Sequence, residues 1–287
     1  MTNETGSASS VAHGLLRRHL SGWVESWNRL GMQAQFFGRT MRSIGDAVAN
    51  YRDEIARQIA QMSLGTGALA LVGGTVVIVG FLTLSAGALI AVQGYNQLSG
   101  IGVEALTGFV SAYINVRLIA PETAGIALAA TIGAGATAQI GAMRIAEEID
   151  ALEVMGVRSI AYLASVRVFT GVIVVIPLYC VAVLMSFLAA RFGTTFIYGQ
   201  STGVYDHYFE TFLIPTDLMW SFGQVIVMAI LVMLIHTYYG YHASGGPAGV
   251  GEAVGRAVRA SLLTVVFVNM CTSLAIYGSS GNFHLAS

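Results

Sequence analysis

The sequence predicts an all-α protein that crosses a membrane several times. Three observations predict it. The chain is 55% hydrophobic and only 10% charged, with a mean hydropathy of +0.69, which fits a polytopic membrane protein rather than a soluble domain. Its apolar residues gather into stretches long enough to cross a bilayer, for which about 20 residues suffice. Its arginines fall almost entirely on one side of those stretches. All fourteen basic residues are Arg and there is no Lys. That excludes a Walker A loop, whose Lys holds the β/γ-phosphates, so any ATP energy must come from another subunit.

Residues 1–10 are rich in Ser, Thr and Asn and read as a disordered tail. Residues 11–57 mix Leu15, Trp23, Trp27, Phe36 and Phe37 with Arg17, Arg18, Arg29, Arg39 and Arg42. That mixture predicts an amphipathic helix lying in the cytoplasmic interface. Residues 58–287 form the membrane domain. The first span is placed at 64–92, uncharged and Gly-rich. The second, 103–143, is broken by Arg117, Pro121 and Glu122, and is counted as one net crossing. The others are placed at 160–190, 218–238 and 254–277, which makes five.

Between the second and third spans lies a charged run, Arg144, Glu147, Glu148, Asp150 and Glu153, holding four of the fifteen acids. Each carboxylate would cost roughly 2.5–3.5 kcal/mol at the membrane centre. A helix at about 143–154 must therefore stand at the surface, with Ile145, Ile149 and Leu152 on one face and Glu147 and Asp150 towards the other. It is a candidate handle for a soluble partner. Across the membrane, residues 203–213 read as a second amphipathic helix. Tyr205, Asp206, Tyr208 and Glu210 there either cap a loop or meet an outer partner.

With the N-terminus inside, twelve of the fourteen arginines are cytoplasmic, as the positive-inside rule expects; the C-terminus is then outside. Arg117 falls at membrane depth, where it either pairs with Glu122 across a distorted turn or handles substrate. Small residues at four-residue spacing over 133–142 let helices approach closely, within the bundle or between subunits. Gly245 to Gly251 lacks the GxGxxG spacing and reads as a turn into the last helix. His236 and His242, beside Tyr238, Tyr239 and Tyr241, read as an interfacial belt. Cys180 and Cys271 read as buried thiols without a disulfide or metal role. No catalytic group and no metal site emerges.

Gln93-Gly94-Tyr95, then Gly141 to Val157 with its Glu-Glu-Ile-Asp-Ala-Leu-Glu core, then Tyr239-Gly240-Tyr241 with Gly245-Gly246, resemble the MlaE/YrbE permease family. The wording is most similar to B-type YrbE subunits of actinobacterial Mce lipid-import systems. The chain differs from the family pattern at Leu118, Gln139 and Val157-Arg158-Ser159, which suits one half of an asymmetric pair.

The resemblance implies the transmembrane part of an ABC transporter in the cell membrane, moving fatty acid, mycolic acid or sterol. Its expected partners are a cytoplasmic ATPase that hydrolyses ATP with Mg, an A-type YrbE permease and outer MCE proteins; no nucleic acid and no cofactor of its own are implied. Arg144, Glu147, Glu148, Asp150, Ala151, Leu152 and Glu153 would form the helix that docks into the ATPase. A lipid cavity is expected along the first and last spans, at Leu71, Ile78, Leu82, Val265 and Met270. A scaffold that anchors an outer assembly without transport, or a lipid-modifying enzyme using His236, are the alternatives.

Overall fold

The computed structural model describes residue 28 and residues 30–64 and 74–277, and every regular element among them is helical. Three short helices, α1 (30–42), α2 (Ile44–Asn50) and α3 (Arg52–Leu64), precede five long ones. The long helices are α4 (Gly74–Ser99), α5 (Glu104–Ile145), α7 (Ile160–Ile197), α9 (Pro215–Tyr241) and α10 (Gly246–Tyr277). Each is long and apolar enough to cross a membrane. Between them sit α6 (Glu148–Val154) and α8 (Thr202–Phe212). The protein is an all-α, multi-pass membrane protein.

Several expected boundaries move. The expected tail and the first part of the interfacial helix lie outside the described residues. The rest of that helix is three pieces, not one. Arg52, Asp53, Glu54 and Arg57 make α3, up to Leu64, a surface helix, residues 65–73 lie outside the described residues, and the described part of the first span starts at Gly74. It continues to Ser99, where Tyr95 stacks on Tyr198 at 4.5 Å.

The second region is not broken. It is one 42-residue helix, about 60 Å long at roughly 1.5 Å per residue, so it tilts or projects beyond a hydrocarbon layer of about 30 Å. Pro121 cannot donate a backbone hydrogen bond. The turn before it widens into a π segment at Asn115–Ile119, and a second follows at Leu128–Gly133. Local π adjustment is how membrane helices keep a proline without breaking.

α7 occupies the middle, against α4, α9 and α3. Val79, Leu128, Val175, Leu178, Met228 and Met233 fill the core around it. α4 and α7 touch backbone to backbone, since a Cβ on Gly87 would run into the Ser186 carbonyl. The small-residue stretch packs within the bundle. Gly133 lies under the His236 ring, Gly240 lies against Thr137, and Gly141 meets Val250 and Ala243. Cys180 and Cys271 are exposed on the bundle's outside, because apolar surface facing lipid carries no burial requirement.

Candidate functional site

The acidic run forms a bent corner. α5 stops at Ile145, Glu147 turns through φ 58°, and α6 begins at Glu148. Glu147 is the one non-glycine residue with positive φ among the described residues, a conformation costing roughly 1–2 kcal/mol. The expected single helix from 143 to 154 is therefore two pieces. The kink takes Ile145 off the shared face and leaves it partly exposed.

Glu148 and Asp150 lie in the first turn of α6, where the helix dipole favours negative charge. Gly156, at φ 78°, closes the other end. Gly156 N–H donates to the Glu153 carbonyl and Val157 N–H to the Leu152 carbonyl, both at 3.0 Å. This is a Schellman ending, which needs a left-handed residue after the helix.

Ile149 is fully buried against Ile140 and Leu163, with Met143, Leu152, Tyr162 and Tyr241 around them. Burying such a side chain stabilises by about 1.5–3 kcal/mol, and it pins α6 to the bundle. Glu147, Glu148, Asp150 and Ala151 face out. So do two residues that sequence reasoning did not single out, Val154 at 89% and Met155 at 69% exposure. Together they make an exposed apolar tip ringed by acids. The signal was present as Val-Met directly after the acidic run.

Polar ties run from this corner into the bundle. Arg144 Nη1 donates to Asp150 Oδ1 at 2.7 Å across the kink. Glu153, expected as a free docking acid, is tied inward. Its Oε1 accepts from Ser159 Oγ at 2.6 Å and from the Tyr241 hydroxyl at 3.2 Å. Arg158 reaches Asp46 of α2 at 2.5 Å. Phe36 of α1 packs on Tyr238, Tyr241 and His242 at the end of α9. These contacts tie the corner and the residues just after it to α2, α5, α7 and α9.

The remaining expected residues scatter. His236 is not interfacial; it is fully buried, with its Nδ1 2.7 Å from Thr137 Oγ1. Arg117 does not pair with Glu122. Its Nε and Nη2 donate to Asp217 Oδ2 at 3.0 and 2.5 Å, and its guanidinium lies 3.8 Å over the Tyr113 ring. Glu122 instead accepts from Asn269 at 3.1 Å, and Asn269 accepts from Gln224 at 2.6 Å.

Leu71 lies outside the described residues. Leu82 and Met270 are exposed, Val265 is in the core, and Ile78 lines a cavity of about 340 Å³ between α3, α4 and α5.

α8 turns Tyr205 inward. It is 1% exposed, so it cannot touch an outer partner. Its hydroxyl donates to Ser111 Oγ at 2.8 Å. Asp206 is held by Arg191 at 2.7 and 2.8 Å, Tyr208 is half-buried and Glu210 exposed.

Burial pushes the Tyr205 hydroxyl up to about 12. Its neutral form therefore adds stability that is complete below the ordinary tyrosine value near 10 and fades as pH rises through about 12. In an alkaline ultraviolet titration Tyr205 should ionise late, as α8 lifts from α5. Tyr205→Phe should lower the stability read by thermal unfolding by about 1 kcal/mol, one hydrogen bond's worth.

The family model described as Permease MlaE matches residues 65–275. The chain belongs to the MlaE permease family. Over 192 residues it is 27% identical to a probable ABC transporter permease protein of Rickettsia bellii, covering 67% of this chain and 74% of that protein. It is 25% identical over 198 residues to the protein TRIGALACTOSYLDIACYLGLYCEROL 1, chloroplastic, of Arabidopsis thaliana, covering 68% and 56%. A probable ABC transporter permease protein of Synechocystis is 23% identical over 196 residues, covering 68% and 74%. This MlaE permease is thus a transporter subunit and not an enzyme. The match covers nearly all of α4 to α10, including the acidic corner.

Proposed function

We propose that this MlaE permease is the membrane subunit of an ATP-driven lipid transporter, and that α6 is where the ATPase engages it. The observation that carries this reading is the corner itself. Its outer face offers acids and an apolar tip to water, while its inner face is fastened to α2, α5 and α9. A motor that moved α6 would move the bundle.

In this reading the ATPase hydrolyses ATP with Mg, and the permease binds neither. A hydrophobic cargo suits walls of this composition. α10 leaves Leu263, Val266, Phe267, Met270 and Leu274 uncovered, an apolar stripe that suits a second permease across the membrane. By the resemblance of its acidic run we read the chain as a B-type YrbE half paired with an A-type half, below outer MCE proteins. It would sit in the cell membrane with its N-terminus inside and its C-terminus outside.

The test is to purify the complex through this chain, identify its components, and reconstitute it in liposomes with labelled lipid. ATP-dependent lipid transfer with a co-purifying ATPase is the expected result. A chain that purifies without an ATPase and transfers no lipid would overturn the proposal.

A further inference from the structure

The cavity of about 340 Å³ lined by Ile78 falls in the roughly 300–1,000 Å³ range of small-ligand sites. Met62, Ile78 and Ile132 give it apolar walls, and Gln58, Gln61 and Gln139 give it amides. Its depth follows from its elements. α3 is charged and lies at the surface, α4 carries no charged residue, and the cavity sits where they meet. Gln139 is less than two turns from the end of α5, on the same side of the bilayer as α6. That is the level of lipid headgroups.

Two buried side chains, Gln58 in the cavity wall and Arg167 behind Gln139, each carry one polar atom without a partner. Gln58 is 1% exposed; its Nε2 donates to Glu54 at 2.8 Å, while its Oε1 meets nothing. Arg167 is 4% exposed. Its Nη1 donates to the Leu163 carbonyl at 3.1 Å and its Nη2 to Gln139 Oε1 at 3.3 Å, and its Nε is unmatched.

The nearby carboxylate, Glu54, belongs to Arg57, which grips both its oxygens at 2.7 and 2.8 Å. Burial pushes the Glu54 carboxyl up, but the hydrogen bonds from Arg57 and Gln58, with the charges of Arg57 and Arg167, outweigh it and hold the group below its ordinary value. Arg167 has no carboxylate within ion-pair distance among the described residues, and shares the charge of Glu54 with Arg57 from further off. Such a charge is costly unless an anion joins it. Gln139, its oxygen turned to Arg167, keeps its amide donors for the cavity it lines.

We propose that this cavity seats the anionic headgroup of a membrane lipid, with Gln139 at the charge and Arg167 behind it, Gln58 accepting a hydrogen bond from a headgroup hydroxyl, and the chain along Met62, Ile78 and Ile132. The proposal deepens the transport reading by naming the headgroup charge, and rests on it for calling the lipid cargo.

The full chain, purified in detergent without its ATPase, is exchanged with oleate, dioleoyl phosphatidylglycerol, oleyl alcohol or dioleoylglycerol. Bound lipid is counted by native mass spectrometry. Either anion should be retained about tenfold better than its neutral counterpart, a difference of about 1.4 kcal/mol; oleate alone would name a carboxylate, phosphatidylglycerol alone a phosphate.

Gly135 lines the cavity and a Cβ there meets nothing within 4 Å, so Gly135→Phe should fill the space without disturbing the bundle and remove the preference. Gln139→Leu, at an exposed position, should reduce it. Equal retention of anionic and neutral lipid, or unchanged retention by Gly135→Phe, overturns the proposal. Binding is read without ATP, so lost uptake with binding intact would fault the transport reading alone.

Discussion

Glu148→Lys with Asp150→Lys should abolish ATP-dependent lipid transfer and weaken ATPase binding by about a hundredfold, while the thermal midpoint falls only modestly. Both side chains are exposed on α6, and losing a favourable acid from its first turn costs only about 0.3–1 kcal/mol each. Asp150 gives up only its exposed bond to Arg144, a surface pair worth about 0–1 kcal/mol. At a docked interface the same reversal sets like charges together, which costs several kcal/mol; a hundredfold loss corresponds to about 2.8 kcal/mol. Pull-down of the ATPase, lipid transfer and thermal unfolding of the same preparation check the three parts. Intact binding and transfer would remove α6 from the coupling role. Ile149→Ala makes the contrast, since it empties a fully buried site and should lower stability by about 2–5 kcal/mol as well as transfer.

The acidic corner was legible for a simple reason: carboxylates cannot sit in hydrocarbon, so a run of them between two spans must surface. The kink was less legible. Glutamate rarely adopts positive φ, and no local signal marks Glu147. Gly156, a glycine just past the last apolar position, did carry the stop signal. Helix lengths were misjudged where tertiary contact decides them. Pro121 announced a break, but the neighbouring helices hold α5 together through a π turn. Hydropathy alone could not separate α3 from α4, because the residues near 64 are already apolar. His236 was misplaced because Thr137, 99 residues earlier, supplies its partner.

Arg117 shows the same limit and gives the second large expectation. Sequence proximity suggested Glu122; the fold supplies Asp217, 100 residues away. Arg117→Leu should destabilise the protein by about 3–5 kcal/mol, because removing one member of a buried pair strands the other charge. The side chains are only 10% and 17% exposed, so water rescues little. Asp217 lies in the first turn of α9, where the helix dipole returns about 0.3–1 kcal/mol, which favours the lower end for this variant. Asp217→Leu should also destabilise, since it takes away the carboxylate to which Arg117 Nε and Nη2 donate. Arg117→Leu with Asp217→Leu should be more stable than either single change, because a buried pair replaced by apolar residues is often neutral or stabilising. Equilibrium unfolding in detergent measures all three. Additive losses in the double variant would mean that the two charges act independently and that the tie between α5 and α9 lies elsewhere. If the double variant folds well yet no longer transfers lipid, the pair serves movement between these helices rather than stability.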